Sequence, residues 1–401
     1  MNQKMSNSNQ NTLTPAVLWI MAISSGLIVA NNYYNQPLLS LIANDLHISA
    51  ASAGKIAMMT QVGYAAGLFT IVPLGDLVRR KRLIMIQFAF ILLSLIGMAM
   101  SRSIWQLYTF SFLIGLTSVI PQLLVPMAAS LSTPEKRTQS IGFVMSGLLI
   151  GILGSRVLSG IVGELYGWRT MFYIAAVIIL VLWGMIAWKL PEVYPEYKGT
   201  YLKLMKSVVY YARTEPVLQA ASFRGAFAFA AFSAFWTSLV YHLEQPPFFA
   251  GSSVAGSFGV IGMAGALAAA LVGRIAKIVP YFRLTLYLIL AFIASWLIFY
   301  GIGNTYIGLI LGVIVMDAAM QALHIMNQSS IFTLHPEANN RLNTVYMTSY
   351  FVGGALGTYL TAIAWQQWLW NGVLMVGFGF SFLTLAVHFL YKRKSAGLKT
   401  A

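Results

Sequence analysis

Hydrophobic positions along this chain fall in blocks rather than alternating with polar ones. Runs near 20 residues, the length that crosses the hydrocarbon core of a bilayer, recur twelve times. They cover 16–42, 52–74, 83–101, 104–130, 139–163, 169–190, 217–243, 252–273, 283–302, 306–332, 342–364 and 368–391. Glycine and proline inside several of them are no objection, because lipid-embedded helices tolerate both. The pattern predicts an all-α membrane protein of twelve transmembrane helices, an even number that leaves both termini on one side.

The longest polar interval runs from Pro191 to Pro216, between the sixth and seventh spans. It divides the chain into a six-helix bundle over 1–190, a linker over 191–215 and a second six-helix bundle over 216–401. Within the linker, Tyr201 to Arg213 interleaves Leu202, Met205, Val208 and Val209 with Lys203, Lys206 and Arg213. That spacing suits a short amphipathic helix on a membrane surface, or a plain solvated linker. The halves also repeat. Pro134-Glu135 and Pro336-Glu337 are 202 positions apart, and at the same offset Met145 meets Met347, Ser146 meets Thr348, Gly151 meets Gly353 and Trp168 meets Trp370. Duplication of a six-span unit is expected to give two pseudo-symmetric bundles with a binding site between them near the midplane. It also sets Gln122 of span four opposite His324 of span ten.

Composition agrees with this pattern. Of 401 residues, 58% are hydrophobic and 9% charged, with a mean hydropathy of +0.74, far from an ordinary soluble domain. There is no cysteine, which excludes disulfides, thiolate nucleophiles and Cys-ligated metals. Met1 to Thr14 is polar with one Lys and no small-residue cleavage site follows the first apolar run, so that run reads as an uncleaved first span. The net charge of +15 would suggest nucleic acid in a soluble protein. Here twenty of the twenty-five Lys and Arg fall in loops on one side, from Lys4 and Arg79–Arg82 to Lys392–Lys399. Only Lys55, Arg102 and Arg169 lie on the other, with Arg156 and Arg224 inside spans. Such asymmetry places both termini of a multi-pass membrane protein in the cytoplasm. The charge is a topology signal, and no nucleic-acid partner is implied.

The chemistry concentrates between Gly312 and Gly357. Asp317, Gln321, His324 and Gln328 fall at i, i+4, i+7 and i+11, on one face of a helix otherwise made of Ile, Leu, Val, Met and Ala. Asp317 lies about 12 residues into its span, near the midplane, where a charge costs roughly 3 kcal/mol or more. A carboxylate there needs a partner, a proton or a water-filled path. Among ten acidic residues it is the one deep within a span, so a carboxylate proton relay would pass through it. The structural alternative is an Asp tied to a neighbouring helix. His324, two turns away on the same face, could share a proton with it or hydrogen-bond across helices.

Arg156, about 17 residues into span five, could pair with Asp317, meet an anionic substrate group or snorkel outward. Its span also carries Gly147, Gly151, Gly154, Gly160 and Gly163, spacings that let helix backbones approach closely. In span one, Asn31 and Asn35 share a helical face with Ser24, which favours them as cavity residues over the rest of Asn31–Gln36. In span seven, Phe232 and Trp236, with Phe229 and Phe235, could line an apolar pocket or simply pack.

The loop after span two reads Pro73-Leu-Gly-Asp-Leu-Val-Arg-Arg-Lys-Arg82. It resembles the signature loop of the major facilitator superfamily, Gly-x-x-x-Asp-Arg-x-Gly-Arg-Lys/Arg, matched by Asp76, Arg80 and Lys81 and departed from at Val72, Leu77 and Arg79. The resemblance implies that Asp76 and Arg80 pair with neighbouring helix ends and latch one state of a transport cycle, a cytoplasmic gate. Asn32–Leu39, Gln61–Gly67, Val72–Asp76 and Arg341–Gly357 are similar to a bacterial branch of that superfamily whose members are labelled efflux transporters. Span five also resembles the antiporter motif of drug–proton exchangers. Ser155 stands where that motif has proline, and Ser111 where those exchangers carry an arginine.

A membrane-embedded enzyme would need clustered carboxylates, a metal set or a nucleophile with its base, and the chain offers none of these. The expected function is secondary transport, with proton-coupled efflux of a small amphipathic compound such as a drug or metabolite. Proton-coupled import of a polar metabolite and a passive channel are the alternatives. Asp317, His324 and Arg156 are the expected proton-coupling residues, and Asn31, Asn35, Gln122, Gln321, Gln328, Phe232 and Trp236 the expected cavity. The partners are a small-molecule substrate, protons and the lipid bilayer. The protein is expected to be a monomer with no metal and no cofactor other than the proton gradient.

Overall fold

A computed structural model describes residues 13–133, 135–195, 199–269, 275–276, 278–335 and 338–397. Their helices are α1 (Pro15–Ala30), α2 (Leu39–Asp45), α3 (Ala50–Thr70), α4 (Arg80–Met100), α5 (Ile104–Thr117), α6 (Pro121–Leu131) and α7 (Arg137–Tyr166). Then come α8 (Trp168–Lys189), α9 (Tyr201–Thr214), α10 (Pro216–Glu244), α11 (Ser252–Ala269), α12 (Tyr281–Ile302), α13 (Tyr306–Phe332) and α14 (Asn339–Gly397). Polar residues at the boundaries define the starts. Thr14 accepts from the Val17 N–H with Pro15 in the first turn, Ser49 caps α3 and Thr305 caps α13. Ser103 and Gln106 cap one another's backbone at α5. Each cap satisfies an amide that the helix itself cannot.

Among the described residues nine helical segments are long and apolar enough to cross a membrane, and together with the shorter pieces they are consistent with twelve spans. α1 and α2 share the first, joined by a turn over 31–35 and a 3-10 turn at Gln36–Leu38. α5 and α6 share the fourth, and α14 makes the last two, broken only at Leu369, which adopts φ 47° and ψ −131°. Two runs expected as single helices are therefore interrupted. The first contains the polar stretch Asn31–Gln36, and the fourth breaks just before Pro121, whose ring suits a first helical turn but not an interior. The helical-face argument for Asn31 and Asn35 accordingly loses its frame, since α1 ends at Ala30.

Packing repeats between the halves. In the first, α1 lies on α7, α3 on α5 and α4 on α8. In the second, α10 lies on α14, α11 on α13 and α12 on α14. Gly151 faces the backbone of Gly26 in α1, and Gly353, 202 positions later, faces the backbone of Ala226 in α10. Trp168 Nε1 donates to Asp45 at the end of α2, whereas Trp370 stacks on His242 near the end of α10, ring centroids 3.8 Å apart. The two bundles meet along a seam where α3 packs on α14 and α7 on α11. Of the glycines in α7, Gly147 and Gly151 approach α1, Gly160 approaches α11 at Ser252 and Gly163 meets Leu38; Gly154 has open space beside it.

α9 is the amphipathic helix the linker pattern allows. Leu204 and Val208 are buried, Lys203, Lys206 and Arg213 exposed. Its Tyr201 hydroxyl donates to the Thr70 carbonyl of α3 at 3.0 Å, and Arg341 of α14 donates to Ser207 Oγ at 3.5 Å. Only Glu215 separates α9 from α10. Gln219 of α10 donates back to the carbonyls of Ala212 and Arg213 and fastens that corner.

Candidate functional site

Because α13 runs unbroken for 27 residues, Asp317, Gln321, His324 and Gln328 do share a face. Asp317 is 0% exposed, and neither carboxylate oxygen has a hydrogen-bond partner among the described residues. It faces α11 where that helix carries no side chain: a Cβ on Gly262 would stand 3.1 Å from Asp317 Oδ1. Glycine here allows the backbone of one helix to reach the carboxylate of another.

Arg156 comes to the same place from the first half. It is 1% exposed, and Gly256 and Gly259 of α11 pack against its backbone and Cβ. Gln36 accepts from its Nε at 2.9 Å, while Nη1 and Nη2 have no partner among the described residues. The guanidinium lies over the Trp236 ring, 3.9 Å from its centroid, and 5.1 Å from that of Tyr33. A desolvated cation over an indole face gains about 2 kcal/mol, a fraction of what burying the charge costs. Arg156 and Asp317 are within Coulombic reach of each other, yet no nitrogen–oxygen pair between them is as close as 4.0 Å. Beside Arg156 lies a cavity of about 10 Å³, lined by Gln36, Pro37, Trp236, Leu239, Val240 and Ala255. That is room for one water.

The other predicted residues divide into two groups. Asn35 donates to Thr60 of α3 at 2.9 Å, and Asn31 is buried with both amide atoms unpartnered among the described residues. Phe232 and Trp236 pack together with ring centroids 6.2 Å apart, so α10 brings its aromatic stripe to Arg156. Nearer the face that carries the termini, His324 Nδ1 pairs with the Tyr346 hydroxyl at 2.9 Å. Gln328 donates to Asn343 at 3.3 Å, and Asn343 in turn donates to Gln122 at 3.5 Å. Gln122 and His324 thus sit near the same helix, α14, with Asn343 and Tyr346 as their respective partners. Gln321 is half-buried on the shared face.

Several contributors were not singled out by sequence reasoning. Gln61 of α3 donates to Ser233 of α10 at 3.2 Å and accepts from Thr358 of α14 at 3.0 Å, tying three helices across the seam. Gln36 and Tyr33 were visible as polar residues in an apolar run, but nothing local marked Arg156 as their partner. Arg224, noticed only as an arginine inside a span, donates to Asn327 at 2.7 Å and to the Tyr281 hydroxyl at 2.6 Å.

Hydrogen bonds bridge the two bundles towards both ends of the seam. On the terminal face, Arg80 pairs with Asp76 at 3.4 Å and donates to the Gly75 carbonyl, and Asn340 of α14 donates to Asp76 at 3.2 Å. On the opposite face, Glu164 of α7 accepts from the Ser253 N–H of α11 at 2.7 Å, and the Tyr241 hydroxyl of α10 donates to the Ala50 carbonyl at 3.5 Å. Among the described residues, no group of three or more His, Asp or Glu is placed to hold a metal ion.

Comparison with known proteins gives this arrangement a family. A family model described as Major Facilitator Superfamily matches residues 21–358. The chain is 41% identical over 379 residues to the "Uncharacterized transporter YgaY" of Escherichia coli O157:H7, covering 94% of this chain and 95% of that one. It is 32% identical over 364 residues to the "Probable transporter SCO4007" of Streptomyces coelicolor, covering 89% and 83%. Among solved structures, a bacterial homolog of the human lysosomal transporter Spinster, inward-facing and unoccupied, superposes with a TM-score of 0.75 over 95% of this chain and 98% of that one. Identity to it is 14%, a likeness of fold. The chain, a twelve-helix membrane transporter in two six-helix bundles, belongs to the Major Facilitator Superfamily.

Proposed function

We propose that the protein exports a small amphipathic compound across the bacterial inner membrane in exchange for protons. Asp317 carries the proton, and Arg156 and His324 adjust its proton affinity. The carrying observation is the Asp317 carboxylate: wholly buried, unbonded, and on the α13 face opposite α11 at the seam. A group in that position is expensive to leave charged and inexpensive to protonate, which suits a site that is emptied and refilled once per cycle. Both termini lie in the cytoplasm, so the Asp76–Asn340 contact is the cytoplasmic gate and the Glu164–Ser253 contact the outer one. The halves 1–190 and 216–401 rock about the seam as a monomer, with α9 in the linker 191–215. The aromatic walls from α10 and Tyr33 receive the apolar part of the compound.

The test is flux in proteoliposomes under an imposed pH gradient. Wild-type protein is expected to show gradient-driven exchange and trans-stimulated counterflow, whereas Asp317→Asn retains insertion and loses the pH drive. Undiminished pH-driven flux in Asp317→Asn refutes the reading, and flux without trans-stimulation makes the protein a channel.

A further inference from the structure

Arg156 and Asp317 belong to different halves, α7 in the first and α13 in the second, and each offers two atoms that no described residue satisfies: Nη1 and Nη2 on one side, Oδ1 and Oδ2 on the other. Were the pair structural, direct contact would be the least costly arrangement, since a buried charge is strongly destabilising without its counter-charge. Instead the two stand beyond 4.0 Å. Each is held by something else: Arg156 by Gln36 at Nε and by the Trp236 face, Asp317 by its place on an unbroken helix against Gly262. Gln36 takes the one nitrogen that leaves the terminal pair of the guanidinium fork free for a bidentate carboxylate.

From this we infer that the transported compound is a zwitterion, with an anionic carboxylate for Arg156, an ammonium for Asp317 and an apolar body against Trp236 and Tyr33. An anion alone would leave the carboxylate unpaired, a cation alone would leave the guanidinium unpaired, and a zwitterion satisfies all four atoms. The cavity of about 10 Å³ beside Arg156 holds none of these, so the guest enters while the bundles are apart and is enclosed as they close. One end binds to each bundle, so it draws them together.

The inference rests on the proton-exchange reading for its coupling and not for its binding chemistry. Protons and the guest's ammonium compete for Asp317. Arg156 from α7 and the Tyr350 hydroxyl from α14 are the other titratable groups in electrostatic reach of that carboxylate; α11 contributes Gly262. Closing the seam with both charges bare is the costly event, and either a proton or the zwitterion relieves the carboxylate. The empty, unprotonated carrier therefore stays open, and exchange follows.

The test is equilibrium binding to the purified full-length wild-type protein, with tryptophan, its methyl ester, tryptamine and indole-3-propionate as one matched series and alanine, leucine and phenylalanine as further zwitterions. At least one zwitterion is expected to bind saturably, with its ester, amine and des-amino analogues weaker by about tenfold or more. Arg156→Gln is expected to lose the carboxylate preference and Asp317→Asn the ammonium preference, while Arg156→Lys retains part of the former. Equal binding of the analogues to wild-type protein, or no saturable binding by any zwitterion, overturns the inference without appeal to a variant that misfolds. Zwitterion binding with the expected preferences but flux indifferent to pH removes the proton reading and leaves the site. Asp317-dependent, pH-driven flux of another compound with no zwitterion bound does the reverse.

Discussion

Asn340 of α14 donates its amide hydrogen to Asp76 of the loop after α3, 3.2 Å away, so a side-chain bond joins the two bundles on the same side of the seam as the one between Asn343 and Gln122. Asp76 also pairs with Arg80 of its own half, and Arg80 is anchored to the Gly75 carbonyl. The carboxylate is thereby oriented by one bundle and bonded by the other. Asn340→Ala breaks the bond across the seam and leaves the pair within the first bundle intact. A partly exposed hydrogen bond to a charged group contributes about 1 kcal/mol. Opening of this face should therefore be favoured about fivefold, read as a longer distance between spin labels at cysteines introduced at either side of the seam. The natural chain has no cysteine to confuse the measurement.

Gly151 and Gly154 make opposite predictions in the same helix. A side chain at Gly151 would collide with the backbone of Gly26, whereas one at Gly154 meets nothing within 4 Å. Gly151→Leu should lose about 1–3 kcal/mol through overpacking between α1 and α7. Gly154→Ala should be neutral or gain up to about 1 kcal/mol from reduced backbone entropy. Thermal unfolding of the two variants in detergent checks both.

At the opposite face, Arg169 donates to Asp45 at 2.6 Å and holds its carboxyl below the usual carboxylate range; the Trp168 N–H adds to the effect. A carboxyl with a depressed folded-state pKa contributes stability above its unfolded value of about 3.9 and loses it as pH falls through the folded value. Both side chains are a third or more exposed, so the contribution is under about 1 kcal/mol. Arg169→Gln should melt about 1–2 °C below wild type at pH 7. The gap should narrow as pH falls through the depressed folded-state value of Asp45; a difference undiminished in acid would assign the stabilisation to the arginine's packing and its bond to the Ser101 carbonyl.

His324 bonds to the Tyr346 hydroxyl at 2.9 Å and stands two helical turns from Asp317. A residue that tunes the proton site at that distance differs in effect from one that carries the proton. His324→Gln should keep pH-driven exchange, with the pH of half-maximal rate moved by less than about one unit. Complete loss of the pH drive would make His324 part of the relay itself.

Spans and their pairing were legible because a run of twenty apolar residues carries its own reason to be a helix, and an offset of 202 carried the packing of Gly151 onto Gly353's equivalent place. The face of Asp317 was legible for a similar reason: α13 has no internal break, so spacing converts directly into direction. What depends on a partner far along the chain was not. Gln36 and Arg156 are 120 positions apart, Gln61 and Thr358 are 297 apart, and no local pattern announces either pair. For Asn31 and Asn35 spacing does not convert into direction in the same way, because α1 ends at Ala30 and a turn over 31–35 follows it.

The corner between α9 and α10 bears on how the gate can move. Gln219 clasps the last carbonyls of α9, and a single residue separates the two helices. The amphipathic helix is thus an outrigger bolted to the second bundle, and it reaches across to the first where its Tyr201 hydroxyl bonds the Thr70 carbonyl. In the rocking cycle proposed above, the outrigger would travel with α10, carrying its exposed lysines past the lipid headgroups beside them. The work of each stroke will then depend on the charge of the lipids beneath it.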